Sequence, residues 1–195
     1  MGVCCVYLVY RSKQSAGHMN KTIELVPYRA EYLASVAQAV REMLTTPPLY
    51  ETVSLNDVIS QLDADQGRED FGGLLALDER EIVVAGMWWY GLDGQALHER
   101  WKPRFMPREA LPMPNGHGIY IASIGVIPGV RNRGLGKYML QAALSDLELL
   151  GDWIATTAYQ SLPSSLAMLS AQGFERLPLQ GTQGQSRVAL MKYVR

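Results

Sequence analysis

The segment of residues 119–150 constrains the fold of this chain more than any other. Residues 119–127 are an apolar run rich in β-branched side chains, without charge, that ends at the Pro-Gly pair 128–129 and predicts a buried strand. A basic loop that contains glycine follows. The apolar residues of 139–147 then recur at helical spacing, which predicts an amphipathic helix, and we expect Gly151 to end it in a left-handed conformation.

The loop between this strand and helix has the composition of a phosphate-binding site. Its cations are Arg131, Arg133 and Lys137, and Gly134 and Gly136 allow the backbone to approach a ligand closely. Backbone N–H groups and the positive end of the helix dipole would meet there, an arrangement that binds phosphate or pyrophosphate. The spacing fits neither a Walker loop nor a dinucleotide fingerprint, since an arginine and a methionine replace required glycines.

The rest of the chain alternates between strand and helix patterns. Ser54 and Asp57 read as a capping box at the start of the second helix, and Pro163 suits the first turn of the last helix. The other predicted strands are 22–26, 71–77, 82–90, 153–159, 174–179 and 187–194, and the first helix runs from Arg29 to Pro47. The order is strand, two helices, three strands, helix, strand, helix, two strands.

The string V-x-P-x-x-R-x-x-G-x-G runs from Val126 to Gly136, between the apolar strand and the amphipathic helix. It closely resembles the acetyl-CoA loop of the GNAT superfamily of acyl-CoA-dependent N-acyltransferases, and the order of elements from about residue 20 resembles that family throughout. The resemblance implies an α/β (α+β) domain. Its mixed, mostly antiparallel sheet would have six to seven strands, flanked by four helices and splayed between the fourth and fifth strands.

The same resemblance implies where acetyl-CoA, the acetyl donor, would bind. The pantetheine arm would enter the splay and pair with the backbone of Ile124 and Val126, and Gly125 between them would permit a bulge. The pyrophosphate would be wrapped by the loop, namely Arg131, Asn132, Arg133, Gly134, Leu135, Gly136 and Lys137. The alternatives are a plain core strand and a set of solvated surface cations.

The reaction implied by the resemblance is direct attack of a substrate amine on the acetyl thioester. A backbone N–H near the end of the fourth strand would stabilise the oxyanion, and a base must take a proton from the ammonium. Our first candidate for the base is His117, followed by Glu99 and His98. The family often uses a tyrosine of the last helix to protonate the thiolate, but Leu169 stands in that register, so Tyr159 is a candidate substitute.

The acceptor is expected to be a primary amine of a small molecule or peptide, bound between the first two helices and residues 91–118. That insertion shows little periodicity, and its length predicts a functional loop. Residues 98–109 contain four Arg or Lys and two Glu, which favours an acceptor with a carboxylate over a polycation. The same loop could instead form a homodimer contact, because exposed aromatic and arginine side chains are typical of interfaces.

Two other classes of protein compete with the enzyme. The leucine at position 169 leaves open a non-catalytic protein that binds acetyl-CoA and reports its level. A nucleic-acid-binding module is disfavoured by the formal charge of −1 and by the lack of aromatic residues among the loop cations. We expect no metal, and no membrane partner either, because no apolar run approaches 18 residues.

Residues 1–18 are expected to be an extension in front of an N-acetyltransferase domain of residues 19–195. The extension could be vector-derived, with the natural start at Met19, or it could add a strand to the sheet edge. Cys4 and Cys5 are adjacent and too close for an ordinary disulfide, so we expect reduced thiols and a cytoplasmic protein. The length of 195 residues and the 48% apolar content suit one domain with a full core.

Overall fold

A computed structural model of the chain describes residues 23–182 and 186–194. The predicted extension of residues 1–18, with Cys4 and Cys5, lies outside the described residues. Within the described part, the strands are β1 (Glu24–Pro27), β2 (Gly72–Leu77), β3 (Val83–Asp93), β4 (Phe105–Met106), β5 (His117–Val126), β6 (Trp153–Tyr159), β7 (Glu175–Arg176), β8 (Gln180–Gly181) and β9 (Arg187–Tyr193). The helices are α1 (Leu33–Thr45), α2 (Leu55–Gln66), α3 (Gly94–Trp101), α4 (Leu135–Leu150) and α5 (Pro163–Ser170).

Seven of these strands form one sheet in the order β1-β2-β3-β5-β6-β9-β7. Strands β5 and β6 run parallel, and the other neighbours in the sheet are antiparallel. The short strands β4 and β8 form a separate two-stranded ribbon. The predicted mixed, mostly antiparallel sheet of six to seven strands is therefore confirmed.

The prediction that residues 91–118 form a structureless loop is wrong. Strand β3 continues to Asp93, whose carboxylate accepts a hydrogen bond from Ala96 N–H at 2.7 Å and caps helix α3. Leu97 and Trp101 of this helix are fully buried. The helix raises the helix count from four to five. It could not be predicted because eight residues show too little of the helical period among their charged neighbours.

The sheet is covered by helices on both faces. Successive side chains of β5 point to opposite faces, so they belong to two different hydrophobic clusters. Ile119 and Ile121 pack in one cluster with the apolar side of α4, whereas Tyr120 between them packs with α3 and β4 on the opposite face. Helices α1 and α2 form a third cluster with Leu75 of β2 and Trp88 of β3. The sheet therefore separates α4 and α5 from the other helices.

Strands β5 and β6, the fourth and fifth strands predicted from the sequence, separate halfway along their length. Their parallel pairing covers four residue pairs and ends at Ile121 and Thr156, although β5 continues to Val126 and β6 to Tyr159. The hydroxyl of Thr156 donates a hydrogen bond to the carbonyl of Ile121 at 2.9 Å and closes the last paired position. A gap therefore opens between the carboxyl halves of the two strands, as predicted.

The irregularity that accompanies this gap lies at a different residue from the one predicted. The register between β3 and β5 shifts at Ala122, which is the extra residue of a bulge. Gly125 instead pairs in register with Gly86. A Cβ atom at Gly125 would overlap the sulfur of Met43, so the close approach of α1 explains the glycine.

Two predicted helix ends can be compared with the structure. The capping box of α2 is confirmed, since Ser54 Oγ accepts from Asp57 N–H at 3.1 Å and Asp57 Oδ2 accepts from Ser54 N–H at 3.0 Å. The left-handed Gly151 is wrong, because its φ of −157° is extended. Its position against the backbone of Gly118, where a Cβ would come within 3.0 Å, accounts for the glycine instead. None of the helices in the described ranges is long and apolar enough to cross a membrane.

We expect Asp93→Ala to lower the free energy of unfolding by about 1 kcal/mol, because the first turn of α3 loses its capping oxygen. Asp93→Asn keeps an acceptor oxygen and should retain most of that stability. Urea denaturation followed by circular dichroism measures both variants. Wild-type stability in Asp93→Ala would contradict the capping role of this carboxylate.

Candidate active site

A cleft of about 1210 Å³ passes along the gap between β5 and β6. One end is bordered by the loop that precedes α4, including Asn132 and Lys137. The opposite end lies against α1, α2 and the turn after α3, and is lined by Trp88, Arg104 and Tyr120. The gap between the strands thus connects a site next to a helix N-terminus with a second site on the other face of the sheet.

The loop before α4 presents free amides to this cleft. Gly134 precedes the helix with a φ of 79°, and Asn132 has a φ of 61°, so two left-handed residues turn the chain into the helix. The first hydrogen bond of α4 runs from Tyr138 N–H to the carbonyl of Gly134 at 2.9 Å. The amides of residues 135–137 are therefore unused by the helix and lie at the positive end of its dipole. These features suit an anion.

The guanidinium of Arg131 does not face these amides. Its Nε donates to the carbonyl of Val126 at 3.0 Å, its Nη2 to the carbonyl of Met43 at 3.1 Å, and its Nη1 to the carbonyl of Pro47. The side chain therefore ties the loop to the end of β5 and to the C-terminal end of α1. This geometry does not fit the side-chain contact with pyrophosphate that we expected, because Nε, Nη1 and Nη2 all donate to backbone carbonyls.

The other two cations of the loop are more accessible. Arg133 is exposed, and its single hydrogen bond within the described residues is a long one, from Nη2 to the carbonyl of Gly129 at 3.4 Å. Lys137 is exposed and lines the cleft. Both side chains are therefore free to contact a bound anion.

The backbone of β5 also faces the gap. Ile127 N–H donates to the carbonyl of Val84 on β3 at 3.0 Å, and in an antiparallel ladder alternate residues turn to the same neighbour. Ile124 and Val126 consequently turn toward β6, which is not paired with β5 at this level. Because Arg131 occupies the carbonyl of Val126, the groups that remain are the Val126 N–H and both backbone groups of Ile124.

A polar network of Glu51, Tyr159 and Arg187 lies on the other margin of the gap. The hydroxyl of Tyr159 donates to Glu51 Oε1 and accepts from Arg187 Nη2. The guanidinium of Arg187 lies 4.1 Å from the Tyr159 ring centroid, and its Nη2 is 3.7 Å from Glu51 Oε1. Burial, reinforced by the hydrogen bond to Glu51, raises the pKa of Tyr159, so this hydroxyl stays protonated at neutral pH.

Tyr159 lies on the unpaired half of β6, on the opposite margin of the gap from Ile124 and Val126. The pairing of the two strands ends at Ile121 and Thr156, and Tyr159 is the last residue of β6. The hydroxyl network and the free backbone groups of β5 therefore border the same gap. Of the candidates for proton transfer, Tyr159 is the one that lines the cleft.

The candidates His117, Glu99 and His98 do not line the cleft. His117 begins β5, about 30 Å along the strand from Val126, and its Nε2 lies 2.8 Å from an Asp70 oxygen. Glu99 is exposed on α3 and lies 3.9 Å from Lys102. The placement of these three residues does not fit the expected role of general base.

Three polar residues at the cleft or next to it were not predicted from the sequence: Asp65 and Arg187, which line it, and Glu51, which binds the Tyr159 hydroxyl. Asp65 is buried on α2, where it accepts hydrogen bonds from Trp88 Nε1 at 3.1 Å and from Gln61 Nε2 at 3.0 Å. Glu51 lies in the connection between α1 and α2, where no motif marks it. For Arg187, a signal exists in principle, because pairing of the predicted strands 153–159 and 187–194 could have placed it beside Tyr159.

We expect Arg131→Gln to lower the free energy of unfolding by about 2 to 3 kcal/mol, because three backbone carbonyls lose a charged donor. Arg133→Gln, two residues away and exposed, should change it by less than about 0.5 kcal/mol. Thermal and urea denaturation of both variants give the comparison. Equal losses in the two variants would show that Arg131 does not hold the loop.

Residues 37–174 match the acetyltransferase (GNAT) family. No curated protein is matched by sequence. Among solved structures, phosphinothricin acetyltransferase of Sinorhizobium meliloti in complex with acetyl-CoA is 19% identical, with 89% of each chain covered and a TM-score of 0.62. Arabidopsis thaliana NAA60 in complex with acetyl-CoA is 11% identical, with 89% of this chain and 99% of that chain covered and a TM-score of 0.62.

An acetyltransferase of Thermus thermophilus is 14% identical, with 88% of this chain and 96% of that chain covered and a TM-score of 0.58. Identities this low establish a common fold. The family match covers well over half of the chain and includes the gap, the loop, Glu51 and Tyr159, but not Arg187. This chain therefore belongs to the acetyltransferase (GNAT) family of enzymes.

Proposed function

We propose that this protein is an N-acetyltransferase that moves the acetyl group of acetyl-CoA to a primary amine of a small molecule or peptide. The observation that carries the proposal is the gap between β5 and β6, which ends at unused amides of a helix N-terminus. A pantetheine arm can pair with the free edge of β5 as an added strand would. The complexes of the Sinorhizobium meliloti and Arabidopsis thaliana proteins with acetyl-CoA support this choice of donor.

The residues present fit acetyl-CoA at both ends of the gap. Ile124 and Val126 would bind the pantetheine amides through their free backbone groups. The loop would bind the pyrophosphate through its amides and through the accessible charges of Arg133 and Lys137. The remaining members of this binding site are Arg131 (through its backbone), Asn132, Gly134, Leu135 and Gly136.

Bound acetyl-CoA would supply the thioester that the acceptor amine attacks. The N–H of Val126 would donate to the developing oxyanion, a contact worth about 3 kcal/mol in related chemistry. The carboxylate of Glu51, which binds the Tyr159 hydroxyl but does not itself line the cleft, would take through a bridging water the proton that the nitrogen loses when its bond to the acetyl carbon forms. Tyr159 would give its proton to the sulfur as the carbon–sulfur bond breaks, and Glu51 would then return a proton to Tyr159 through their hydrogen bond.

Leu169 stands where related enzymes often have the tyrosine that protonates the thiolate, and it raised the alternative of a non-catalytic protein. Its side chain is buried and carries no proton to donate. Tyr159 offers a hydroxyl at the gap from a different element, and Arg187 holds that hydroxyl in place. The network at Tyr159 therefore favours an enzyme over a protein that only senses acetyl-CoA.

We expect acetyl-CoA and free CoA to bind the purified protein, and we expect thiol release from acetyl-CoA when a primary amine is added. Isothermal titration calorimetry measures binding, and a thiol-reactive dye measures turnover. A DNA oligonucleotide serves as the control and should give no heat of binding. Failure of both acetyl-CoA and CoA to bind would contradict the proposed function.

We expect Tyr159→Phe to lower kcat by about 100-fold, because the thiolate loses its proton donor. The dissociation constant for acetyl-CoA should stay within about twofold. Since burial raises the pKa of Tyr159, its ionisation should not reduce wild-type activity until above about pH 10.

Tyr193→Phe provides the matched control, because Tyr193 is exposed at the end of β9 and does not line the cleft. Its kcat should equal that of the wild type. An unchanged kcat in Tyr159→Phe, or an equal loss in both variants, would remove Tyr159 from the mechanism.

A further inference from the structure

We infer that the acceptor amine carries a carboxylate, and that Arg100 and Arg104 bind this group in the part of the cleft next to Tyr120. The inference rests on the proposed acetyl transfer and names the class of its acceptor. It depends on which arginines in and around the cleft already form an ion pair with an Asp or Glu, and which do not.

Arg100 is held in place without using all its donors. Its guanidinium carbon lies 4.6 Å from the ring centroid of Tyr120 and 5.4 Å from that of Tyr90. Stacking on aromatic rings orients the plane of a guanidinium and leaves its edge free to donate hydrogen bonds. The Nε of Arg100 is in fact buried without a hydrogen-bond partner.

Arg104 lies in the turn after α3, where the backbone is fixed. Its N–H donates to the carbonyl of Trp101 at 2.7 Å, and its carbonyl accepts from Thr182 N–H at 2.8 Å. The side chain lines the cleft, and burial lowers the pKa of its guanidinium. The protein therefore positions a second, partly buried cation beside the first.

Neither arginine forms an ion pair with a described residue, whereas the neighbouring arginines do. Arg68 lies 3.4 Å from Asp65, and Arg187 lies 3.7 Å from Glu51. The segments 1–22 and 183–185 contain no Asp or Glu. Arg104 thus has no carboxylate of its own, and the one acid whose charge acts on Arg100 is Asp65, which already binds Arg68, Trp88 and Gln61. This pair of partly buried cations is therefore incompletely compensated, which is costly unless a ligand supplies a further negative charge. A carboxylate matches the planar donor edge of a guanidinium.

These cations also lie on the path to the reacting groups. Tyr120 pairs with Ala155, and Tyr159 lies four residues further along the same face of β6, about 13 Å away. The charge of Arg104 interacts with the charges of both Arg100 and Arg187, so the three arginines follow this path. An acceptor can therefore place its amine near Tyr159 and its carboxylate near Arg104.

The test compares each acid with its neutral amide. The acceptors are L-methionine, 4-aminobutyrate and 6-aminohexanoate, their three carboxamides, and spermidine as a polycation. We expect the kcat/KM of at least one acid to exceed that of its amide by about 10-fold or more, and to exceed that of spermidine. The three acids differ in the distance from amine to carboxylate, so the preferred one reports that distance.

Variants test whether the preference for acids over amides arises from the arginines of the cleft. Arg104→Gln should bring the ratio of acid to amide toward one by raising KM for the acid, while the dissociation constant for acetyl-CoA stays unchanged. Arg104→Lys should restore part of the preference. Arg108→Gln, an exposed arginine of the same insertion outside the cleft, should keep the wild-type ratio.

Two results would overturn the inference. Acetylation of amides or spermidine as efficiently as the acids would do so and would leave the proposed acetyl transfer standing. An acid preference that survives in Arg104→Gln would remove Arg104 from recognition. Absence of acetyl-CoA binding, or of turnover with every acceptor tested, would count against the inference and the proposed function together.

Discussion

The early end of the pairing between β5 and β6 is the constraint on which the site depends. Backbone groups inside a folded protein need hydrogen-bond partners, and neighbouring strands normally supply them. Beyond Ile121 and Thr156 the two strands stop doing so, and the backbone of Ile124 and Val126 turns to an open edge. Because the two strands separate, the loop that follows β5 and the hydroxyl of Tyr159 at the end of β6 both border the open gap.

The predictable parts of the fold are those whose signal lies within one continuous stretch of the sequence. The apolar strand, the loop of arginines and glycines and the amphipathic helix follow one another in the chain, so a single window of residues 119–150 contains the whole signal. The capping box of α2 has the same local character. Helix α3 was missed because it is short, and Gly125 was misassigned because its constraint comes from Met43 on a distant helix.

Contacts between distant elements account for the rest of what the sequence could not show. Glu51, Tyr159 and Arg187 come from a connection and two strands, and no spacing links them. The residue type of Arg131 suggested a phosphate contact, yet its partners are three carbonyls, two of them more than 80 residues earlier in the chain. A sequence pattern identifies a donor without saying which acceptor it meets.

The connection between α1 and α2 contacts both margins of the gap. On one margin the carbonyl of Pro47 is bound by Arg131, and on the other Glu51 is bound by Tyr159, while Glu51 N–H donates to the carbonyl of Leu44 at 2.8 Å. This short segment is therefore a direct physical connection between the loop that precedes α4 and the hydroxyl at the end of β6. A substitution at Pro47 or Glu51 acts on a segment that both margins hold, so its structural effect is not confined to the margin that the residue contacts.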